Sequence, residues 1–150
     1  MQIVKASLEH VNLISPLFDS YRQFYEQTPN AKGAREFIHA RLKNDESVIF
    51  LALDETGQAM GFTQLYATFC SVVLAPKWVL YDLYVDAAFR KKSVGRSLMN
   101  VARQMAETSG AQRIDLETAI SNTTAQPLYE SLGYVRDTHF YAYSLVLSPT

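Results

Sequence analysis

A mixed, mostly antiparallel sheet of about seven strands with helices on both faces, an α/β (α+β) fold, is the architecture this sequence predicts. Three observations predict it. Apolar runs of strand length, such as SVIFLAL and VLYDLYV, alternate with stretches whose apolar residues recur every three or four positions. The elements succeed one another as β-α-α-β-β-β-α-β-α-β-β, with one strand–helix–strand crossover long enough for parallel pairing. A chain of 150 residues, 48% of them hydrophobic, suffices for a single domain, residues 1–150, with a substantial core.

The elements follow in order. Residues 2–6 (QIVKA) read as a first strand. Ser7 is placed to cap a helix running to Glu26, with Leu8, Val11, Ile14, Leu17, Phe18, Tyr21 and Phe24 at helical spacing. Thr28, Pro29 and Asn30 end it, and a second helix over residues 31–43 turns Phe37, Ile38 and Leu42 inward. Residues 47–53 form a buried strand, and the DETG turn leads to its hairpin partner over residues 59–69. Pro76 precedes a strand over residues 78–85. The helix over residues 93–107 buries Val94, Leu98, Val101 and Met105, and Gly110 stops it. A strand over residues 113–119 and a helix over residues 123–132 follow, the latter ending at Gly133. Two strands, residues 134–136 and 140–147, close the chain.

Composition excludes several classes. A formal net charge of −1 gives no bulk attraction to nucleic acid or to an anionic membrane. Cys70 is the only cysteine, so neither an internal disulfide nor a cysteine-built zinc site is available. His10, His39 and His139 are scattered as surface or loop residues, with no metal set and no partner for a nucleophilic Ser or Thr. No window is long and apolar enough to span a bilayer, and MQIVKASLEHV lacks the apolar run of a signal peptide. A cytoplasmic protein without a metal is expected.

Positive charge is concentrated instead of spread. Within VLYDLYVDAAFRKKSVGRSL, a buried strand gives way to a turn carrying Arg90, Lys91 and Lys92, then to Gly95 just inside a helix. Backbone N–H groups from Ser93 to Ser97, the helix dipole and the basic side chains, Arg96 included, converge on one spot. Gly95, having no Cβ, lets a bulky anion approach the backbone. Phosphate is the usual occupant of such a site, although GxxxxGK[ST], the nucleotide loop, is absent.

The segment Arg90-Lys91-Lys92-Ser93-Val94-Gly95, preceded by DLYV at residues 82–85, resembles motif A of the GNAT superfamily of acetyl-CoA-dependent N-acetyltransferases. The family pattern is Gln or Arg, two residues, Gly, one residue, then Gly or Ala; Ser93 departs from it, a small residue that still offers a donor. NTTAQPLYESLGY, residues 122–134, is similar to the family's next motif, with Asn122, Ala125, Leu128, Tyr129, Leu132, Gly133 and Tyr134 in place. The order of elements matches along essentially the whole chain.

The resemblance implies acetyl-CoA as cosubstrate, held by Leu83, Tyr84 and Val85 of the strand, by Arg90, Lys91, Lys92, Ser93, Val94, Gly95, Arg96 and Ser97, and by Asn122 and Tyr129. The backbone N–H groups of Leu83 and Val85 would polarise the acetyl carbonyl. Tyr129 resembles the family's general acid, which protonates the departing thiolate; a phenol near pKa 10 suits that task. Asn122 is either a helix cap or a contact to the pantetheine amides.

Asp82 alternates with Leu80 and Tyr84 on one face of its strand. A carboxylate in a buried strand needs a partner or a task. Two readings stand: it binds or deprotonates the incoming ammonium, or it is a structural aspartate bonded to Arg or backbone. In the family the acceptor site is lined by the first two helices, the loop before the motif A strand and the last hairpin. Those segments offer Tyr21, Phe24, Tyr25, Phe69, Trp78, Phe140 and Tyr141, with Asp19 and Glu26 nearby; Tyr21, Tyr25, Trp78 and Asp82 are the substrate-binding candidates.

The expected function is transfer of acetyl to a primary amine by direct attack in a ternary complex. The acceptor is either a small amine of polyamine type or a protein lysine or N-terminus. A non-catalytic acyl-CoA sensor is the alternative. The late apolar FYAYSLVL would offer an edge for a homodimer.

Overall fold

The computed structural model describes residues 1–148. Its sheet contains β1 (Gln2–Lys5), β2 (Val48–Leu53), β3 (Ala59–Cys70), β4 (Ala75–Val85) and β5 (Ile114–Asp115), in the spatial order β1-β2-β3-β4-β5. All neighbours pair antiparallel except β4 and β5, which run parallel after the crossover through α3 (Val94–Thr108). The remaining helices are α1 (Val11–Phe24), α2 (Ala31–Lys43) and α4 (Ala125–Ser131).

Strand periodicity assigns the helices to faces. Ile49 and Leu51 of β2 and Phe62 of β3 pack with Ile14, Leu17 and Phe18 of α1 and Ala34 and Ile38 of α2. Phe50 and Ala52, one residue out of phase, point to the opposite face, where α3 packs on β2, β3 and β4. The α3 stripe is Val94, Leu98, Met99, Ala102 and Ala106, whereas Val101 and Met105 are only half-buried. Small alanines at its centre let the helix lie close to the strands.

Several expected bounds shift. The first helix begins as a 3-10 turn at Leu8–His10, and the Ser7 N–H donates to His10 Nδ1 at 3.0 Å, so His10 helps fold the helix start. α2 is capped by Asn30, whose side chain accepts from the Gly33 N–H at 2.9 Å. β4 starts at Ala75 and takes in Pro76, which lies opposite Phe69. Its carbonyl accepts from the Gln112 N–H at 2.9 Å, so the proline sits where no donor is missed. β5 is two residues long, against the seven expected over 113–119.

The two closing strands expected over residues 134–136 and 140–147 do not form, and among the described residues the sheet has five strands, not seven. Phe140, Tyr141, Tyr143, Leu145, Val146 and Leu147 are exposed. Aromatic and β-branched composition marks backbone suited to a ladder, but a strand exists only where a neighbour supplies the matching N–H and C=O groups.

Residues 1–117 form one compact unit, holding the sheet and α1 to α3, and a second unit starts at Thr118 and contains α4. Among the described residues no helix is long and apolar enough to cross a membrane.

Candidate active site

The β3–β4 pair carries a register irregularity at its middle. Gln64 lies opposite Asp82, while the next β3 residue, Leu65, lies opposite Leu80, so Tyr81 is an extra residue on β4. Such a bulge bends its strand and re-aims its side chains. Tyr81 faces solvent, whereas Asp82 and Gln64 point inward at 4% and 0% exposure.

Buried, these two groups satisfy one another. Gln64 Nε2 donates to Asp82 Oδ2 at 2.6 Å, and the Ser47 hydroxyl donates to Gln64 Oε1 at 2.7 Å. The Thr63 hydroxyl donates to the Asp82 carbonyl at 2.8 Å. Burial pushes the Asp82 carboxyl up from the ordinary aspartate range, against the opposing hydrogen bonds from Gln64 and Tyr21. The Tyr21 hydroxyl also reaches the Tyr81 carbonyl at 3.2 Å.

Tyrosines crowd this end of the sheet. The Tyr21 ring meets Tyr25 and Tyr84 edge-on at 5.2 and 6.3 Å, and Tyr66 meets Tyr81 at 5.7 Å. The Tyr66 phenol is pushed up to about 12, by burial first and then by the charge of Asp82. A buried carboxylate beside electron-rich rings is an environment that favours an ammonium.

Past the bulge, β4 has one open edge. Among the described residues β5 pairs with it only at Trp78–Ile114 and Val79–Asp115, leaving the stretch through Leu83, Tyr84 and Val85 without a neighbour on that side. Main-chain groups that face this edge, apart from the Val85 carbonyl, lie open to a ligand along the strand. The chain then turns through a 3-10 segment capped by Asp86 and reaches the basic loop.

Arg90, Lys91, Lys92 and Ser93 are all exposed. Arg90 does not project from the loop: its Nε donates to the Val85 carbonyl at 3.0 Å and its guanidinium lies over Tyr84 at 5.6 Å. It ties the loop to the end of β4. Lys92 lies over Phe89 at 5.7 Å. Lys91 and Ser93 both adopt left-handed backbone, each at φ 63°. Ser93 is the α3 N-cap by position, yet its hydroxyl makes no cap hydrogen bond. The Ser97 N–H bonds back to the Ser93 carbonyl at 3.0 Å, which sets the N–H groups of Val94 and Gly95 in the first turn of the helix. The left- to right-handed step from Ser93 to Val94 makes a backbone concavity of the kind that holds phosphate. This chain therefore fits the pyrophosphate end of coenzyme A on its own backbone.

Other candidates fall elsewhere. Trp78 sits on β4 away from Asp82 and donates from Nε1 to the Ser109 hydroxyl at 2.9 Å beside the end of α3, so it is not part of the tyrosine cluster. Asp19 is structural: its carboxylate accepts the Asn30 N–H at 3.1 and 3.2 Å and pairs with Arg22 at 2.8 Å, which fixes the α1–α2 turn. Phe69, Phe140 and Tyr141 are exposed. In the second unit, Thr124 and not Asn122 is the α4 N-cap; Asn122 Nδ2 donates to the Thr118 hydroxyl at 3.3 Å. Tyr129 is half-buried on α4, its ring 6.3 Å from Tyr134. Among the described residues no group of three or more His, Cys, Asp or Glu side chains converges as a metal set would.

Gln64 and Ser47 were not legible as site residues from composition alone. A glutamine inside the buried run GFTQLYA was the available signal, since an amide at such a position needs a partner.

An open strand edge, a left-handed step into a helix start and a buried carboxylate at the bulge together suit an acyltransferase that uses coenzyme A. The profile of the acetyltransferase (GNAT) family matches residues 14–134, and the chain belongs to that family. It is 43% identical to the uncharacterized N-acetyltransferase YhfO of Bacillus subtilis over 97% of both chains. It is 32% identical to the ribosomal protein bS18-alanine N-acetyltransferase of Salmonella typhimurium, over 56% of this chain and 51% of that one. The crystal structure of a probable acetyltransferase superposes on all of both chains with a TM-score of 0.94 at 42% identity. The protein is an N-acetyltransferase, and its family uses acetyl-CoA as cosubstrate.

Proposed function

We propose that the enzyme acetylates a cationic primary amine by direct attack in a ternary complex, with Asp82 receiving the amine's proton and Tyr129 supplying one to the departing thiolate. The observation that carries the reading is the buried, hydrogen-bonded Asp82 beneath Tyr21, Tyr66 and Tyr81. An amine reaches the enzyme as an ammonium and must lose a proton before it attacks. A carboxylate whose proton affinity burial has raised accepts that proton more readily than an exposed one, while the hydrogen bonds from Gln64 and Tyr21 work in the opposite direction.

Acetyl-CoA brings the acetyl thioester. Val94, Gly95 and the Ser93–Ser97 backbone would hold its phosphates, and the open edge of β4 at Leu83 to Val85 its pantetheine arm. Arg90 holds that edge and the loop in register through the Val85 carbonyl. Tyr21 and Tyr25 flank the amine, and we assign the acid role to Tyr129 because it stands in the family's second motif.

The acceptor is a small amine of polyamine type or a peptide lysine or N-terminus. The relative named for acetylating the alanine of ribosomal protein bS18, together with relatives named N-alpha-acetyltransferase 30, places peptide α-amines first in the test. A panel of N-terminal peptides, lysine peptides, polyamines and amino compounds, read by thiol release, should show turnover with at least one class. Absence of thiol release with every class would overturn the choice of a cationic primary amine as acceptor.

We assign residues 1–150 to a single acetyltransferase domain, working in the cytoplasm. The exposed apolar residues between Phe140 and Leu147 suit a second copy of the chain as partner. Sedimentation should give a dimer, and charged replacements at Tyr143 and Leu145 should return it to monomer; a monomeric wild type at high concentration would end this part of the proposal.

A further inference from the structure

The Ser47–Gln64–Asp82 chain runs across three neighbouring positions of the sheet, from the start of β2 through β3 to β4. None of its members is more than 7% exposed. Its polarity has only one consistent sense while Asp82 is ionised. A carboxylate only accepts, so the Gln64 NH2 must face it. The Gln64 carbonyl then faces Ser47, which is left to donate, as the 2.7 Å contact shows. The Ser47 hydroxyl therefore does more than fill a valence: it holds the amide in the orientation that supports a charged Asp82.

Protonating Asp82 puts that arrangement at odds with itself. The new carboxyl O–H needs an acceptor, and the Gln64 carbonyl is turned away, toward Ser47. Either the amide rotates, which turns its NH2 to the Ser47 oxygen, or the proton finds another acceptor. We infer that Gln64 is a positioning residue for acetyl transfer, clamped by Ser47, that keeps the buried Asp82 ionised and aimed until the amine delivers its proton. The inference rests on Asp82 being the group that receives that proton.

The other groups around Asp82 do not replace this function. From α1 comes the Tyr21 hydroxyl, from β3 the Tyr66 phenol, and from β4 the Tyr81 ring. Tyr66 is neutral throughout the working range, its phenol being pushed up to about 12. Arg41 of α2 and Glu46 act on Tyr66 and are bonded to each other at 3.0 Å. No cation is bonded to Asp82 among the described residues, so amide and phenol dipoles carry the whole task of stabilising its charge.

The test titrates Asp82 directly and in catalysis. Carboxyl 13C NMR of the free enzyme should show the Asp82 pKa raised by about one unit or more in Gln64→Leu, and by less in Ser47→Ala. Ser47→Thr, which keeps the hydroxyl, should restore the wild-type value. The acidic limb of the kcat/KM profile should move up by the same amounts, with acetyl-CoA binding unchanged. An Asp82 titration identical in wild type and Gln64→Leu would overturn the inference; should Gln64→Leu fail to fold, an identical titration in Ser47→Ala would do so. NMR shifts without matching shifts of the kinetic limb would leave the clamp standing and sink Asp82 as the proton acceptor, which separates the two failures.

Discussion

Two polar regions flank the same strand and are built on opposite plans. At the bulge, Ser47, Gln64 and Asp82 are buried and hydrogen-bonded in one sense, so each fixes the next. Six residues beyond β4, the loop from Lys91 to Ser93 is exposed, and two of its three residues hold left-handed backbone that side chains resist. The first region stores its cost in desolvation, the second in backbone strain. The difference follows from their tasks. A proton acceptor must be tuned by its surroundings, which requires burial, whereas a phosphate cradle must offer bare N–H groups, which requires access.

The largest effect expected lies with the groups that exchange protons. Tyr129→Phe should lower kcat by roughly 10²–10⁴ with acetyl-CoA affinity little changed, as measured by steady-state kinetics and by calorimetry. Normal turnover would return Tyr129 to a packing role. Asp82→Asn should lower kcat/KM for the acceptor and remove the acidic limb that Asp82 gives the pH profile, again sparing acetyl-CoA binding.

The loop is expected to answer to bulk before charge. Gly95→Leu should weaken coenzyme A binding at least tenfold by filling the space the pyrophosphate needs. Neutralising Lys91 should weaken binding less and flatten its salt dependence, because an exposed charge is screened. Titrations at two salt concentrations separate the two, and a Gly95 variant of undiminished affinity removes the cradle from the reading.

Stability sharpens the contrast at the bulge. Because the folded-state pKa of Asp82 is raised, the unfolded chain releases this proton more easily, and stability is lost as pH rises through the folded value. Asp82→Asn abolishes that penalty. Its melting temperature should equal or exceed that of the wild type at neutral pH, and the gap should narrow below the Asp82 pKa. A variant less stable at every pH would mean the carboxylate is needed for the fold.

The smallest effect concerns strain in the loop. Relieving left-handed backbone at Ser93 gains about 1–2 kcal/mol, and the extra freedom of an unfolded glycine returns about 0.4–1 of it. Ser93→Gly should therefore raise the melting temperature slightly, and, with the backbone path kept, leave coenzyme A affinity unchanged or modestly improved. A large loss would show that the serine hydroxyl itself touches the ligand.

Much of this was legible before any coordinates. The apolar run placed Asp82 in a buried strand and the Arg90–Gly95 spacing placed the loop at a helix start; both positions hold. The face expected to join Leu80 to Asp82 and Tyr84 does not: the bulge at Tyr81 sets Leu80 opposite Leu65, facing away from Asp82. Trp78 lies apart from the tyrosine cluster, because an aromatic on a strand carries no signal of which end of the strand it serves. Asp19, near the aromatics in sequence, fixes a turn: its carboxylate accepts the Asn30 N–H.

What the sequence by itself determined is whatever depends on local pattern. Helix and strand periods, the helix-start loop and the two family motifs are written in consecutive residues, and with them the class of enzyme. The tertiary structure alone decided what depends on pairing. Residues 140–147 have strand composition and no ladder, since a strand needs a neighbour's backbone. Gln64 and Ser47 became partners of Asp82 only through the β2–β3–β4 register and the bulge at Tyr81. Residues 17 and 18 positions apart meet there because hydrogen-bonded strands bring them together, a contact that no local period encodes.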